Sequence, residues 1–310
     1  MMGFNEPPQP HVLVLLFVYA LTASAMMVLN KHLARAPWFN AVLLVQIQLA
    51  FSVVLMVVCY GVGLLKNPLF QVQGGTDEIA AWMLLALAFT IQLAASIMTL
   101  KTPMITQWYM LLHYLTPCLV PFLERRVRAI VLAGEAPPLA TIIFPILTFA
   151  SAAGLSYYTA GVFGPGTSAG VFWSVIWVAA RMFSLVGSRA IILQFETPLA
   201  NRLFFQNVFS LTIVTIVVIV WPSLDRMTVP IEQVDDASEG AVNGITEEDT
   251  QYVIAACVCG FLVGLCRLEL LGSTTASTFS ILSSIGVVPA RMYFAGSNWL
   301  GFMATSFHHH

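Results

Sequence analysis

Several polar side chains fall inside long apolar runs, and their types suit recognition more than bond breaking. Tyr19 precedes the pair Asn30-Lys31 by about three helical turns. Phe204-Phe205-Gln206-Asn207 puts two aromatic rings beside two amides. Cys266-Arg267, with Glu269 close behind, leads into a hydroxyl-rich stretch, Ser273–Arg291, that carries Ser273, Thr274, Thr275, Ser277, Thr278, Ser280, Ser283 and Ser284. Gln46, Gln48, Gln107, Tyr109, His113, Tyr114, Thr116 and Arg181 complete the set. Rings can stack on a planar base, and amides and hydroxyls can bond a polar solute. Such a lining suits a neutral or anionic polar solute and suits a cation poorly.

Each of these residues also has a plainer reading. The hydroxyl stretch is either tight helix packing, where small residues let backbones approach and hydroxyls bond across, or the wall of a polar pathway. Tyr19 and Tyr109 could be interfacial or packing aromatics, and Gln46 and Gln48 interhelical ties. A buried histidine such as His113 is more often satisfied than a ligand. Arg267 and Glu269 read as a helix end meeting headgroups, and snorkelling at an interface fits Arg35 more easily than Lys31. Polar groups inside a membrane are nevertheless functional-site hypotheses by default.

Catalytic chemistry is not indicated. There is no intramembrane Asp-Asp pair, no G-x-S-x-G and no H-E-x-x-H. The histidines are scattered, so no metal set is expected, and no cofactor. The scarcity of in-span Asp or Glu argues against a pump that relays protons through carboxylates. Five cysteines, Cys59, Cys118, Cys257, Cys259 and Cys266, all lie in apolar segments, as reduced buried thiols do. Cys257-x-Cys259 has the wrong spacing for a zinc knuckle or a thioredoxin-type site.

The elements that must hold these residues are membrane spans. Of 310 residues, 58% are hydrophobic and only 9% charged, with mean hydropathy +0.85. Soluble domains carry about a quarter charged residues. The net charge of −2 and the absence of a basic patch give no reason to expect nucleic acid. A ruler of roughly 20 apolar residues per crossing predicts an all-α polytopic protein with nine spans: 11–30, 39–65, 79–100, 103–123, 138–159, 166–187, 200–221, 251–270 and 273–293. A tenth would begin near Trp299, with about a dozen residues left. The polar start MMGFNEPPQP runs straight into a full-length span, so no cleavable signal is expected.

Basic residues in short loops set orientation. Arg125, Arg126 and Arg128 follow span four, and Arg189 and Arg202 fall in the loop after span six. The acidic loop 222–250 lies on the opposite side. The N-terminus is therefore expected to be cytosolic and the acidic loop lumenal, with Lys31, Arg35 and Lys101 as exceptions on the lumenal side.

Four stretches, in order and each on its own span, resemble the nucleotide-sugar transporters of the drug/metabolite transporter superfamily, closest to the Golgi GDP-mannose transporters. They are Tyr19 through Asn30-Lys31 with Phe39-Asn40, then LHYLTPCLVPFLERRVR at Leu112–Arg128, LFFQNVFSL at Leu203–Leu211, and Cys266-Arg267 running into STTASTFS. The resemblance covers most of the chain at low similarity. It implies ten helices in two inverted five-helix halves, here 1–159 and 166–310, in a multi-pass Golgi membrane protein. It implies a transporter that exchanges a cytosolic nucleotide-sugar for lumenal nucleoside monophosphate. Expected partners are those solutes, membrane lipid and, as an option, a second copy of the chain.

By resemblance the site comprises Tyr19, Asn30, Lys31, Phe204, Phe205, Gln206, Asn207, Arg267, Phe279, Ser283, Ser284 and Arg291. The base would lie against Phe204 and Phe205, with Gln206 and Asn207 on its edge. Tyr19, Ser283 and Ser284 would contact ribose, phosphate or sugar. Departures from the family pattern are specific: Gln206 replaces the first of two asparagines, Phe279 replaces a tyrosine, and Val287 stands where the ninth helix carries a phosphate-binding lysine. Arg291, Lys31 and Arg267 are the cations that could replace it. Two alternatives stay open: a sugar-phosphate or phosphate translocator of the same fold, and a non-transporting scaffold or receptor.

Overall fold

The computed structural model describes residues 10–34, 40–65, 68–69, 71–72, 74–101, 106–131, 143, 145–147, 149–150, 168–195, 197–220 and 247–286. Among them every regular element is an α-helix: α1 (Pro10–Leu33), α2 (Ala41–Gly61), α3 (Gly75–Lys101), α4 (Thr106–Val131), α5 (Ser168–Phe195), α6 (Leu199–Val220), α7 (Glu247–Ser273) and α8 (Ala276–Gly286). Six helices (α1, α2, α3, α5, α6 and α7) are long and apolar enough to cross a membrane. At 1.5 Å per residue the 24 residues of α1 reach about 36 Å, beyond the ~30 Å of a hydrocarbon core. Nine full spans are therefore more than the described helices supply. The expected span 138–159 and the stretch 287–310, including Val287, Arg291 and Trp299, fall largely or wholly outside the described residues, as do Arg35, Phe39 and most of the loop 222–250.

Helix ends are set by local chemistry. Asn40, extended at φ −118°, accepts hydrogen bonds through its side chain from the amides of Val42 at 2.8 Å and Leu43 at 3.2 Å, capping α2. This Asn40, part of the resemblance, thus has a structural role. After α2 the chain turns at Gly63, φ +76°. The Leu64 amide reaches back to the Cys59 carbonyl at 2.9 Å, a closure that glycine accepts without a Cβ penalty. Gly74 has a different reason: a Cβ there would meet the Phe195 ring at 2.4 Å.

Side-chain ties order the helices across the bundle. One face gathers the starts of α3, α6 and α8 and the ends of α4, α5 and α7. There Glu78 of α3 accepts from the Gly74 amide at 2.9 Å and the Thr197 hydroxyl at 2.6 Å. Asn201 donates to the Gln71 carbonyl at 3.1 Å. Arg189 donates to the Leu271 and Gly272 carbonyls at 2.5 and 2.7 Å, capping the C-terminus of α7. The opposite face holds the ends of α1 and α6 and the starts of α2 and α7. There His32 and Tyr252 meet with ring centroids 4.4 Å apart. Gln48 donates to Asn30 at 3.1 Å, and Gln46 to Thr215 at 3.4 Å. Helices α1 to α4 thus alternate in direction, as do α5 to α8, while α4 and α5 run the same way.

The principal packing partners are α3 with α5 and α6, α1 with α7 and α8, α2 with α6 and α7, and α4 with α5 and α8. The core centres on Tyr19, Trp82, Leu203, Phe204, Phe205, Cys266, Leu268 and Phe279. Lipid-facing surface is apolar, with Phe17, Val54, Leu84, Phe183 and Ile219 exposed.

Three sequence expectations are corrected here. Glu124 does not lie in a loop: α4 continues through the ERRVR run, and Glu124 is buried. Arg189 lies inside α5, and Arg202 in the first turn of α6, where its Nε donates to the Thr197 carbonyl. Both side chains are thus engaged in protein contacts. In-span carboxylates also exist, since Glu78 and Glu124 are both buried; each accepts hydrogen bonds that offset part of the burial cost.

Candidate functional site

The hydroxyl-rich stretch divides once its partners are known. α7 ends at Ser273 and α8 starts at Ala276. Ser273 and Thr274 bond back to Glu269 and Leu270 carbonyls of their own helix, a third outlet beside packing and pathway. Thr275 caps α8 by accepting from the Thr278 amide at 3.0 Å. The Ser277 amide donates to Glu124 at 2.9 Å and its hydroxyl to the same carboxylate oxygen. A carboxylate from α4 thereby caps the positive N-terminus of α8. Ser284 donates to the Ser280 carbonyl at 2.9 Å. Ser283 does the same and also accepts from Arg181 Nη2 at 2.9 Å. Ser277 and Ser283 tie the stretch to α4 and α5 through their side chains.

Tyr19 and Phe279 lie against each other. Their rings pack edge to face, centroids 5.1 Å apart and planes at 69°, a favoured aromatic geometry. Arg267 is buried further along α7. It lies six residues before the end of α7 and is 5% exposed, so the headgroup reading fails. Its Nη2 donates to Ser184 Oγ at 2.5 Å, to the Ser184 carbonyl at 3.2 Å and to Ser188 Oγ at 3.3 Å. Its guanidinium stands 5.1 Å over the Phe89 ring. Ser184 follows Arg181 by three residues on α5, so Arg267 is held within one turn of Arg181 on that helix.

Arg181 was visible in the sequence as an in-span cation but not as a member of the site. It lies at the midpoint of α5, 8% exposed. Its guanidinium is 5.2 Å over the Trp177 ring. Trp177, Arg181, Ser184 and Ser188 follow one another at i, i+4, i+7 and i+11, so they form one stripe on α5. That spacing is the signal that could have found them. Phe89 had no such signal.

The α6 residues behave unequally. Phe205 stacks on Phe209, centroids 6.0 Å apart at 9°, and lies 6.5 Å from Trp82. Phe204 is buried beside it, 6.3 Å away. These rings are engaged by the core. Asn207 donates to the Leu203 carbonyl at 2.9 Å within its own helix. Gln206 is different: it is 0% exposed, and neither Oε1 nor Nε2 has a partner. A buried orphan amide costs about 1–3 kcal/mol, so its retention calls for a reason.

Asn30 and Lys31 are not brought to Tyr19. They occupy the last turn of α1, some 18 Å further along the axis. Asn30 is tied to Gln48, the interhelical role expected of that glutamine. Arg291, and the side chains of Lys101, Gln107, Tyr109, His113 and Tyr114, lie outside the described residues. Among the described residues no three His, Cys, Asp or Glu side chains converge, and all five cysteines are free thiols. No protein-family model matches the chain, and no curated protein matches it.

Proposed function

We propose that this chain is a nucleotide-sugar transporter of the drug/metabolite transporter type, exchanging a GDP-mannose-like solute for nucleoside monophosphate across the Golgi membrane. The observation that carries the reading is Gln206. Its amide is wholly buried in an aromatic core with both polar atoms unpartnered. An amide edge held ready beside rings is what recognition of a base edge requires, and a base that mismatches it leaves it unpaired.

Helix pairing supports the two-repeat architecture behind this reading. Exchanging α1–α4 for α5–α8 in order turns α3·α5 into α7·α1, α3·α6 into α7·α2, and α4·α5 into α8·α1; α2·α6 and α4·α8 map onto themselves. Each exchanged pair is also in contact, and α1 runs opposite to α5, α2 to α6 and α3 to α7. In this reading one further span lies between α4 and α5, which gives the first half an odd number of crossings and inverts the second. Inverted halves rocking about a midplane site are a known route to alternating access. In this reading the N-terminus and the α5–α6 hairpin are cytosolic, the activity is transport rather than catalysis, and no cofactor takes part.

The test is Gln206→Leu. It should abolish discrimination between bases in ligand-induced thermal stabilisation of the purified protein. Undiminished discrimination would remove Gln206 from the site. A second reading, a sugar-phosphate translocator of the same fold, is favoured by one observation: two buried arginines, Arg181 and Arg267, share the bundle interior. Stabilisation by sugar phosphates and by no nucleotide would select it.

A further inference from the structure

We propose that Arg181 of α5 and Arg267 of α7, which bonds Ser184 one turn beyond Arg181, form the anion subsite that takes the phosphate or pyrophosphate of the solute. The proposal rests on the reading of the chain as a carrier of a phosphate-bearing solute. It moves the phosphate contact away from Lys31 and away from the end of the ninth span.

The argument is one of unmatched charge. Both guanidinium groups stay protonated in proteins, and both are more than nine-tenths buried. The guanidinium groups donate to serine hydroxyls and one carbonyl: Arg181 to Ser283, and Arg267 to Ser184 and Ser188. Among the described residues no carboxylate pairs with either. The two buried carboxylates of the bundle are committed elsewhere, Glu124 to Ser277 and Glu78 to Gly74 and Thr197. Two cations held within one turn of each other on α5 in a low-dielectric region repel each other.

Unused donors remain. Nε of Arg181, and both Nε and Nη1 of Arg267, have no partner. A guanidinium with free N–H groups matches phosphate oxygens in a two-point fork. The aromatic faces of Trp177 and Phe89 hold the two groups from behind without neutralising them. Ser283 and Ser184 fix the orientation of each fork. Such a centre is costly when empty and matched when a dianion enters, which is the differential a carrier needs between its loaded and empty states.

The experiment is a thermal-shift titration of the full-length protein in detergent with GMP, UMP, guanosine, uridine and pyrophosphate. It compares the native chain with Arg181→Gln, Arg267→Gln and Lys31→Gln. The expected result is saturable stabilisation of the native chain by a nucleotide well beyond its nucleoside. The arginine variants should weaken the nucleotide roughly 10- to 100-fold, with the nucleoside unchanged and the unliganded melting point no lower. Lys31→Gln should keep the native difference, and that arm decides if the arginine variants fail to fold. Equal affinity in the arginine variants, or loss of the difference in Lys31→Gln, overturns the subsite and leaves the nucleotide reading intact. Arginine-dependent stabilisation by pyrophosphate with no response to any nucleotide keeps the subsite and ends the nucleotide reading. Silence from every anion overturns both.

Discussion

Tyr19 presents its ring to Phe279 edge to face at 5.1 Å, joining α1 to α8 within the buried core. The pair is worth about 0.5–1.5 kcal/mol beyond its burial. Tyr19→Phe should therefore leave stability within about 1 kcal/mol of native, because the ring contact survives. Phe279→Ala removes a fully buried ring and should cost about 3–5 kcal/mol. Chemical or thermal melts in one detergent check both. A large loss from Tyr19→Phe would mean that the hydroxyl, not the ring, holds α1 in place.

Gln206→Leu should stabilise the unliganded protein by about 1–3 kcal/mol, since it removes a buried amide that has no partner. Its effect on ligand response should have the opposite sign. The two readouts together separate a recognition group from a structural one: a structural amide would lose stability on replacement.

Glu124 accepts both the amide and the hydroxyl of Ser277. Glu124→Ala leaves those donors buried without an acceptor and uncaps α8. The expected loss is about 1–3 kcal/mol, with Glu124→Gln recovering part of it through its remaining carbonyl oxygen. Unfolding followed by tryptophan fluorescence would report it; an unchanged midpoint for Glu124→Ala would place the cap elsewhere.

At Gly74 a methyl group would drive into the Phe195 ring, 2.4 Å from the Cβ position. Gly74→Ala should cost about 1–3 kcal/mol by overpacking. The double variant with Phe195→Leu should recover part of that loss if the ring is the obstacle.

Legibility differed by the kind of signal. Spans are written in runs of apolar residues, so α1, α2, α3, α5, α6 and α7 could be placed to within a few residues at many ends. Helix ends carried by long-range partners could not. Nothing in the run ERRVR says that Glu124 will be drawn inward to cap α8, because its partner lies 153 residues away. Arg189 was likewise misplaced, since its acceptors are carbonyls of α7. In the candidate site, the resemblance named Tyr19 and Phe279 separately, and their ring contact between α1 and α8 is a long-range feature that neither stretch spells out. Arg181 did not, because its importance comes from the lack of a counter-charge, and a missing partner is a property of three dimensions. The orphaned state of Gln206 is of the same kind.

The most direct test of the central claim is a thermal-shift screen of the purified chain against GMP, UMP, CMP, AMP and their sugar conjugates. A transporter of this type should be stabilised saturably by one nucleoside monophosphate and its conjugates, by about 2.7 kcal/mol at a hundred times the dissociation constant. A cooperative melt that no nucleotide moves would contradict it.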